Sequence, residues 1–223
     1  MFKSKPKCPY CSAVLTDPPK TKKKCAACGN TVFFKTDPYT NKEYFLSEDD
    51  AMQINLLKER YKIEENFFNT FCEYGLTDKL FVKRRQIYIK KAKNNYSAFS
   101  FVTSLFNELS LGFAKKNDYS QLHRLYYQMA RFLADYNEEF FFFLQESAKM
   151  NLYSFKQLEK ETGLKYKVNI MAAVGSKNSS CSKCTMQNGK SYTIDEAIEK
   201  MPIPVKDCEN GFCRCLYTVT TVN

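Results

Sequence analysis

Ten cysteines are spread unevenly along 223 residues, and four of them form two short pairs, Cys8-Pro-Tyr-Cys11 and Cys25-Ala-Ala-Cys28, separated by thirteen residues. A two-residue gap lets two thiolates of one tight turn face a single tetrahedral ion while backbone amides of that turn donate to the sulfurs. Gly29 follows the second pair, where such a knuckle commonly needs a positive φ. The spacing is that of a zinc ribbon. Four thiolates close the coordination shell, so the metal is predicted to be structural; a catalytic zinc keeps one position open. Neither pair sits in a βαβ pattern, as a thioredoxin-like redox motif would.

Five more cysteines, Cys181, Cys184, Cys208, Cys213 and Cys215, fall within 35 residues near the carboxyl end. That exceeds what one tetrahedral ion needs. Cys181 and Cys184 form a knuckle. Cys208 and Cys213 are favoured as the other pair, because a four-residue gap can wrap one ion. Cys215 competes with Cys213, since residues two apart share a face on a regular strand. Two zinc ions per chain are therefore expected, one at each end.

Other chemistry is sparse. His123 is the single histidine and sits between Leu122 and Leu125, as a packing or hydrogen-bonded side chain would. That count removes most histidine-dependent nucleophile and metal systems. Glycine-rich phosphate loops are absent, and no carboxylate pair stands out. No enzymatic activity is expected.

The formal charge is +10. Each four-thiolate site sets four negative charges against the ion's two, so two sites lower that figure to +6, which still favours an acidic partner. Lys22, Lys23 and Lys24 beside the ribbon (with Lys3, Lys5, Lys7 and Lys20) and Lys83, Arg84, Arg85, Lys90, Lys91 and Lys93 on a helix offer phosphate contacts. The competing explanation is a solvated loop and a solvated helix face. No stretch approaches the roughly 20 apolar residues of a membrane span. No apolar run follows the amino-terminal lysines, so no secretory signal is read. A cytoplasmic, reducing location is expected, in which closely spaced cysteines are ligands rather than disulfides.

The elements that must position these groups are partly legible. Thr31 to Lys35 and Lys42 to Leu46 read as strands about Asp37-Pro38. Ser47 opens a helix with acid in its first turn, Ile54, Leu57, Tyr61, Phe68 and Phe71 recur at helical spacing, and Gly75 stops it. A second helix follows Thr77. Another is predicted from Glu138 to Met150, where four consecutive phenylalanines (Phe140 to Phe143) cannot all face one side. They are read as core packing ahead of partner docking. Tyr166, Val168 and Ile170 alternate as a strand does, followed by a loop at residues 175–180. A hairpin is read through Gly189 to Tyr192, a short helix is capped by Thr193 and Glu196, and Leu216 to Val222 form a last strand.

Two resemblances rest on these residues. Leu111-Gly112-Phe113, Asn117-Asp118-Tyr119, Tyr126-Tyr127 and Ala130 fall where a tetratricopeptide-type helical hairpin has its packing residues and turn, over residues 107–134. The order Cys181-x-x-Cys184, Gly189-Lys190-x-Tyr192, Pro202-x-Pro204 and Cys213-Arg214-Cys215 resembles the carboxyl-terminal motif of the head-morphogenesis (minor capsid) proteins of tailed bacteriophages. That family reads C-x-x-C, G-K-x-Y/F, a proline pair and H-P-x-C-R-C. Here no histidine precedes Cys213, and Cys208 stands in its place at altered spacing. The likeness covers about 40 residues and implies a phage or prophage connection and a structural role.

The expected architecture is mainly α with small zinc-bound β modules at both ends: a zinc ribbon over 1–46, a helical bundle or tetratricopeptide-like middle over 47–163, and a zinc-stabilised α+β module over 164–223. The expected function is a non-enzymatic zinc protein that binds another protein or serves assembly. The alternative is sequence-tolerant nucleic-acid binding.

Overall fold

The computed structural model describes residues 5–92, 96–172 and 181–222; Lys3, Lys93 and the loop expected at 175–180 lie outside them. About half of the chain is helical, with two three-stranded antiparallel sheets. It divides into two compact units, Met1–Val102 and Thr103–Asn223, each carrying one sheet and one end's cysteines.

In the first unit, β1 (Lys22–Lys24), β2 (Thr31–Thr36) and β3 (Glu43–Leu46) form a sheet in that order. Phe34 lies opposite Phe45, with ring centroids 5.4 Å apart. The lysine run, read from sequence as a solvated loop, is an edge strand with all three side chains exposed. Its backbone pairs with β2, and lysines on an edge discourage a further strand from adding. Ser47 caps α1 (Glu48–Glu73) by accepting from the Asp50 N–H at 3.2 Å. Gly75, at φ 82°, ends that helix in the left-handed region that glycine adopts without strain. Next is α2 (Asp78–Ala92). Phe81 packs edge-on against Phe68 at 5.1 Å and against Phe101 at 5.4 Å. Phe101 belongs to α3 (Ala98–Ala114), within which the division between units falls.

In the second unit, α4 (Tyr119–Asp135) is capped by Asp118 and buries Leu122, Leu125, Met129, Ala130, Phe132 and Leu133 on one face. The following helix, α5, spans Phe141–Thr162, not 138–150. It starts later because the Glu138 N–H still bonds to the Leu133 carbonyl at the end of α4. It runs on because Leu144, Ser147, Asn151 and Leu152 continue the buried stripe, and Gly163 (φ 71°) stops it. Polar Ser147 and Asn151 hid that continuation in the sequence.

Beyond α5, β4 (Tyr166–Met171) is the middle strand of the second sheet. The knuckle after Cys181 is a single helical turn, α6 (Ser182–Thr185). Strand β5 (Ser191–Thr193) pairs with β4, not with a strand of its own hairpin, because the Gly189 N–H bonds to the Ile170 carbonyl at 2.8 Å and folds it back. Thr193 and Glu196 form the expected capping box of α7 (Ile194–Lys200), and β6 (Leu216–Thr221) completes the sheet. Leu152, Val168, Ile170, Ile194, Ile203 and Tyr217 fill the core between these elements. No helix among the described residues is long and apolar enough to cross a membrane.

Candidate metal centres

At the amino-terminal end, Lys7 and Val14 pair as a bridge, and the Cys8 N–H bonds to the Ala13 carbonyl at 2.9 Å. This small loop buries Cys8 and leaves Cys11 exposed beside it. The second knuckle repeats it, with Cys25 bonded to Asn30 at 2.8 Å. The residue after each pair is left-handed: Ser12 at φ 61° and Gly29 at φ 76°. The four Sγ atoms of Cys8, Cys11, Cys25 and Cys28 all lie within 4.8 Å of one another. Cys8 to Cys28 and Cys11 to Cys25 are each 3.8 Å. Two sulfurs about 2.3 Å from one tetrahedral ion are separated by about 3.8 Å, so the quartet has the edge length of a four-thiolate zinc site. Backbone N–H groups of Cys28 and Ala27 push the Cys25 thiol down to about 7, toward the ionised form that binds metal. Cys8, Cys25 and Val32 are the buried heart of the sheet, so a metal here would replace much of the core so small a segment lacks.

At the carboxyl-terminal end, the sulfurs form two groups that share one member. Cys181, Cys184 and Cys208 lie within 4.8 Å of one another, as do Cys184, Cys213 and Cys215. Cys184 is 3.7 Å from Cys208 and 3.8 Å from Cys213. The Cys181 sulfur accepts from the Cys184 N–H at 3.3 Å, and the Cys213 sulfur from the Val205 N–H at 3.3 Å. The Cys215 thiol beside it, helped by that Val205 N–H, pushes Cys213 down to about 5, and Cys215 is pushed correspondingly up. Cys213 and Cys215 precede β6 on irregular backbone, so the strand-face rule does not choose between them. The fourfold set expected from sequence is only partly assembled: Cys181, Cys184 and Cys208 are together, and Cys213 approaches Cys184 in company with Cys215.

Aromatic residues hold this cluster to the helices. Phe212, next to Cys213, stacks on Phe140 at 5.3 Å and meets Tyr127 edge-on at 5.7 Å. Of the four-phenylalanine run, Phe140, Phe141 and Phe143 are half-buried and Phe142 is exposed. The Ser147 hydroxyl donates to the His123 carbonyl at 2.9 Å, and the Ser147 carbonyl lies 3.0 Å from the His123 Nδ1, which ties α4 to α5. Burial holds its imidazole below the ordinary value.

The basic residues separate into two sets. Lys22, Lys23 and Lys24 are exposed on β1, with Lys23 paired to Asp17. On α2, Lys83, Lys90 and Lys91 are exposed and Arg84 is half-buried. Arg85 turns inward: its guanidinium donates to Glu64 at 3.2 Å and lies over the Tyr39 ring at 4.4 Å. Tyr96 donates its hydroxyl to the same carboxylate. Glu64 sits on the stripe of Ile54, Leu57, Tyr61, Phe68 and Phe71, so a buried carboxylate could have been read from its position. No family model, curated protein or solved structure matches the chain.

Proposed function

We propose that this chain is a non-enzymatic zinc protein in which thiolate-bound metal stabilises both ends of a helical scaffold that serves protein binding or assembly. The observation that carries the reading is the Cys8, Cys11, Cys25, Cys28 quartet, with tetrahedral edge lengths and no free position for a substrate. The carboxyl-terminal cysteines supply the second zinc site, drawn from Cys181, Cys184, Cys208 and Cys213, with Cys215 as the competing ligand. The tetratricopeptide-like hairpin over residues 107–134 favours a scaffold role, and the head-morphogenesis-like motif favours a structural role connected with a phage or prophage. Phe142, 59% exposed beside Phe140, which packs on the carboxyl-terminal cysteines, is the natural anchor for a partner. Tagged full-length protein expressed in its native host should retain one defined protein in near-equal amount, and Phe142→Ser should reduce its recovery. Recovery of nucleic acid alone would refute the assembly role.

The exposed run Lys22, Lys23 and Lys24 favours a second reading, sequence-tolerant nucleic-acid binding. Lys83, Lys90 and Lys91 extend the same chemistry along α2, whereas Arg85 is occupied by Glu64.

A further inference from the structure

Five thiols are gathered at the carboxyl-terminal end, and their arrangement is not that of one tetrahedral ion. In such a site all six sulfur–sulfur edges are about 3.8 Å. Among the described residues, no group of four carboxyl-terminal cysteines has its sulfurs all within 4.8 Å, whereas the amino-terminal quartet does. Two triangles meet instead at a single corner, Cys184, whose sulfur is at tetrahedral-edge distance from one member of each: 3.7 Å to Cys208 and 3.8 Å to Cys213.

We propose that this cluster is a two-metal site in which the Cys184 thiolate bridges two zinc ions, one completed by Cys181 and Cys208 and the other by Cys213 and Cys215. The inference rests on the reading that the carboxyl-terminal thiolates hold zinc, and it adds a second ion there. Each ion receives three protein thiolates and keeps a fourth position for water or an external ligand.

Charge and hydrogen bonding both favour the second ion. Cys181, Cys184, Cys208 and Cys213 are buried, and Cys215 is half-buried. With one divalent ion, five thiolates leave a net charge of −3 in a protein interior; with two ions the balance is −1, and far less charge must be desolvated. The nearest lysine on the knuckle, Lys183, already faces Asp207 at 3.3 Å. A cavity of about 10 Å³, lined by Cys181, Cys184, Cys208 and Cys215 with Asn210, Phe212 and Arg214, has room for one of the two ions. The two N–H donors to sulfur fall one on each triangle, at Cys181 and at Cys213, so each half has its own oriented thiolate.

The experiment is native mass spectrometry of the full chain, loaded with zinc under reducing conditions and freed of excess metal by gel filtration. Three ions per chain are expected: one in the ribbon and two in this cluster. Cys215→Ser should retain two and Cys184→Ser only one, because the shared ligand serves both metals. Replacing zinc by cadmium-113 should give two carboxyl-terminal resonances coupled to each other through the bridging sulfur. Two ions in the wild type, unchanged by Cys215→Ser, would overturn the bridged site while leaving one zinc at each end. One ion in the wild type would overturn both. The wild-type count decides the matter even if a variant fails to fold.

Discussion

The hydroxyl of Tyr10 accepts a hydrogen bond from the Glu48 N–H at 2.9 Å. Tyr10 lies inside the first cysteine knuckle, and Glu48 is the first residue of α1, so the ribbon satisfies one of the helix's unpaired amides. The cysteine knuckle and the helix thereby share a contact that can be removed without touching a cysteine. Tyr10→Phe should cost roughly 1 kcal/mol in a denaturant titration and leave zinc content unchanged. Cys25→Ser should release the ribbon's zinc and unfold it locally while α1 keeps its Ser47 cap and its packing. A far-UV helical signal that collapsed in Cys25→Ser would show that the ribbon is no separable module.

Glu64 is buried and shared by Arg85 and Tyr96. Burial and this carboxylate push the Tyr96 phenol well above its ordinary value, which keeps it a donor. Removing the cation leaves a carboxylate without its charge partner in the interior. Arg85→Ala should therefore destabilise the chain by about 3 kcal/mol. Lys83→Ala, on the exposed side of the same helix, should change stability by less than about 0.5 kcal/mol. Equal effects in urea unfolding would mean that the ion pair contributes nothing.

His123 gives a pH signature. Burial first, with Arg124 adding to it, holds its folded pKa below the ordinary 6.5, against the opposing Ser147 carbonyl. The unfolded chain then takes up a proton near pH 6.5 that the folded chain refuses until lower pH. Its contribution is intact above that value and is lost as pH falls through it. The unfolding midpoint should drop between pH 7.5 and 5.5, and His123→Asn should show a smaller drop. Zinc release in acid affects both proteins alike, so an identical drop in the two would refute the assignment.

Charge on β1 and α2 predicts how any nucleic-acid binding must behave. Lysines offer phosphate contacts and little base-reading chemistry, so affinity should be indifferent to sequence and weaken steeply with salt. Lys22→Ala with Lys24→Ala should reduce the salt slope by about two. No shift of an oligonucleotide at low salt would eliminate this activity.

The gathering of Cys8, Cys11, Cys25 and Cys28 was legible because two C-x-x-C pairs carry their geometry in their spacing, and Ser47, Thr193 and Gly75 marked helix ends through local chemistry. The carboxyl-terminal cluster was legible only as a collection. Which sulfurs meet depends on the irregular backbone from Cys208 to Cys215 and on Phe212 wedging against Phe140 and Tyr127, contacts that spacing does not encode. The full length of α5 was missed because Ser147 and Asn151 occupy buried positions as polar residues. Ser147 is satisfied by His123, a partner 24 residues away that no local pattern reveals.

X-ray absorption at the zinc edge, on the full chain purified without added metal, bears most directly on thiolate-bound zinc at both ends. The Cys25→Ser variant isolates the carboxyl-terminal cluster. It should still contain zinc, with a first shell of three to four sulfurs at about 2.3 Å. A shell dominated by nitrogen or oxygen near about 2.0 Å, or a variant with no zinc, would contradict the account.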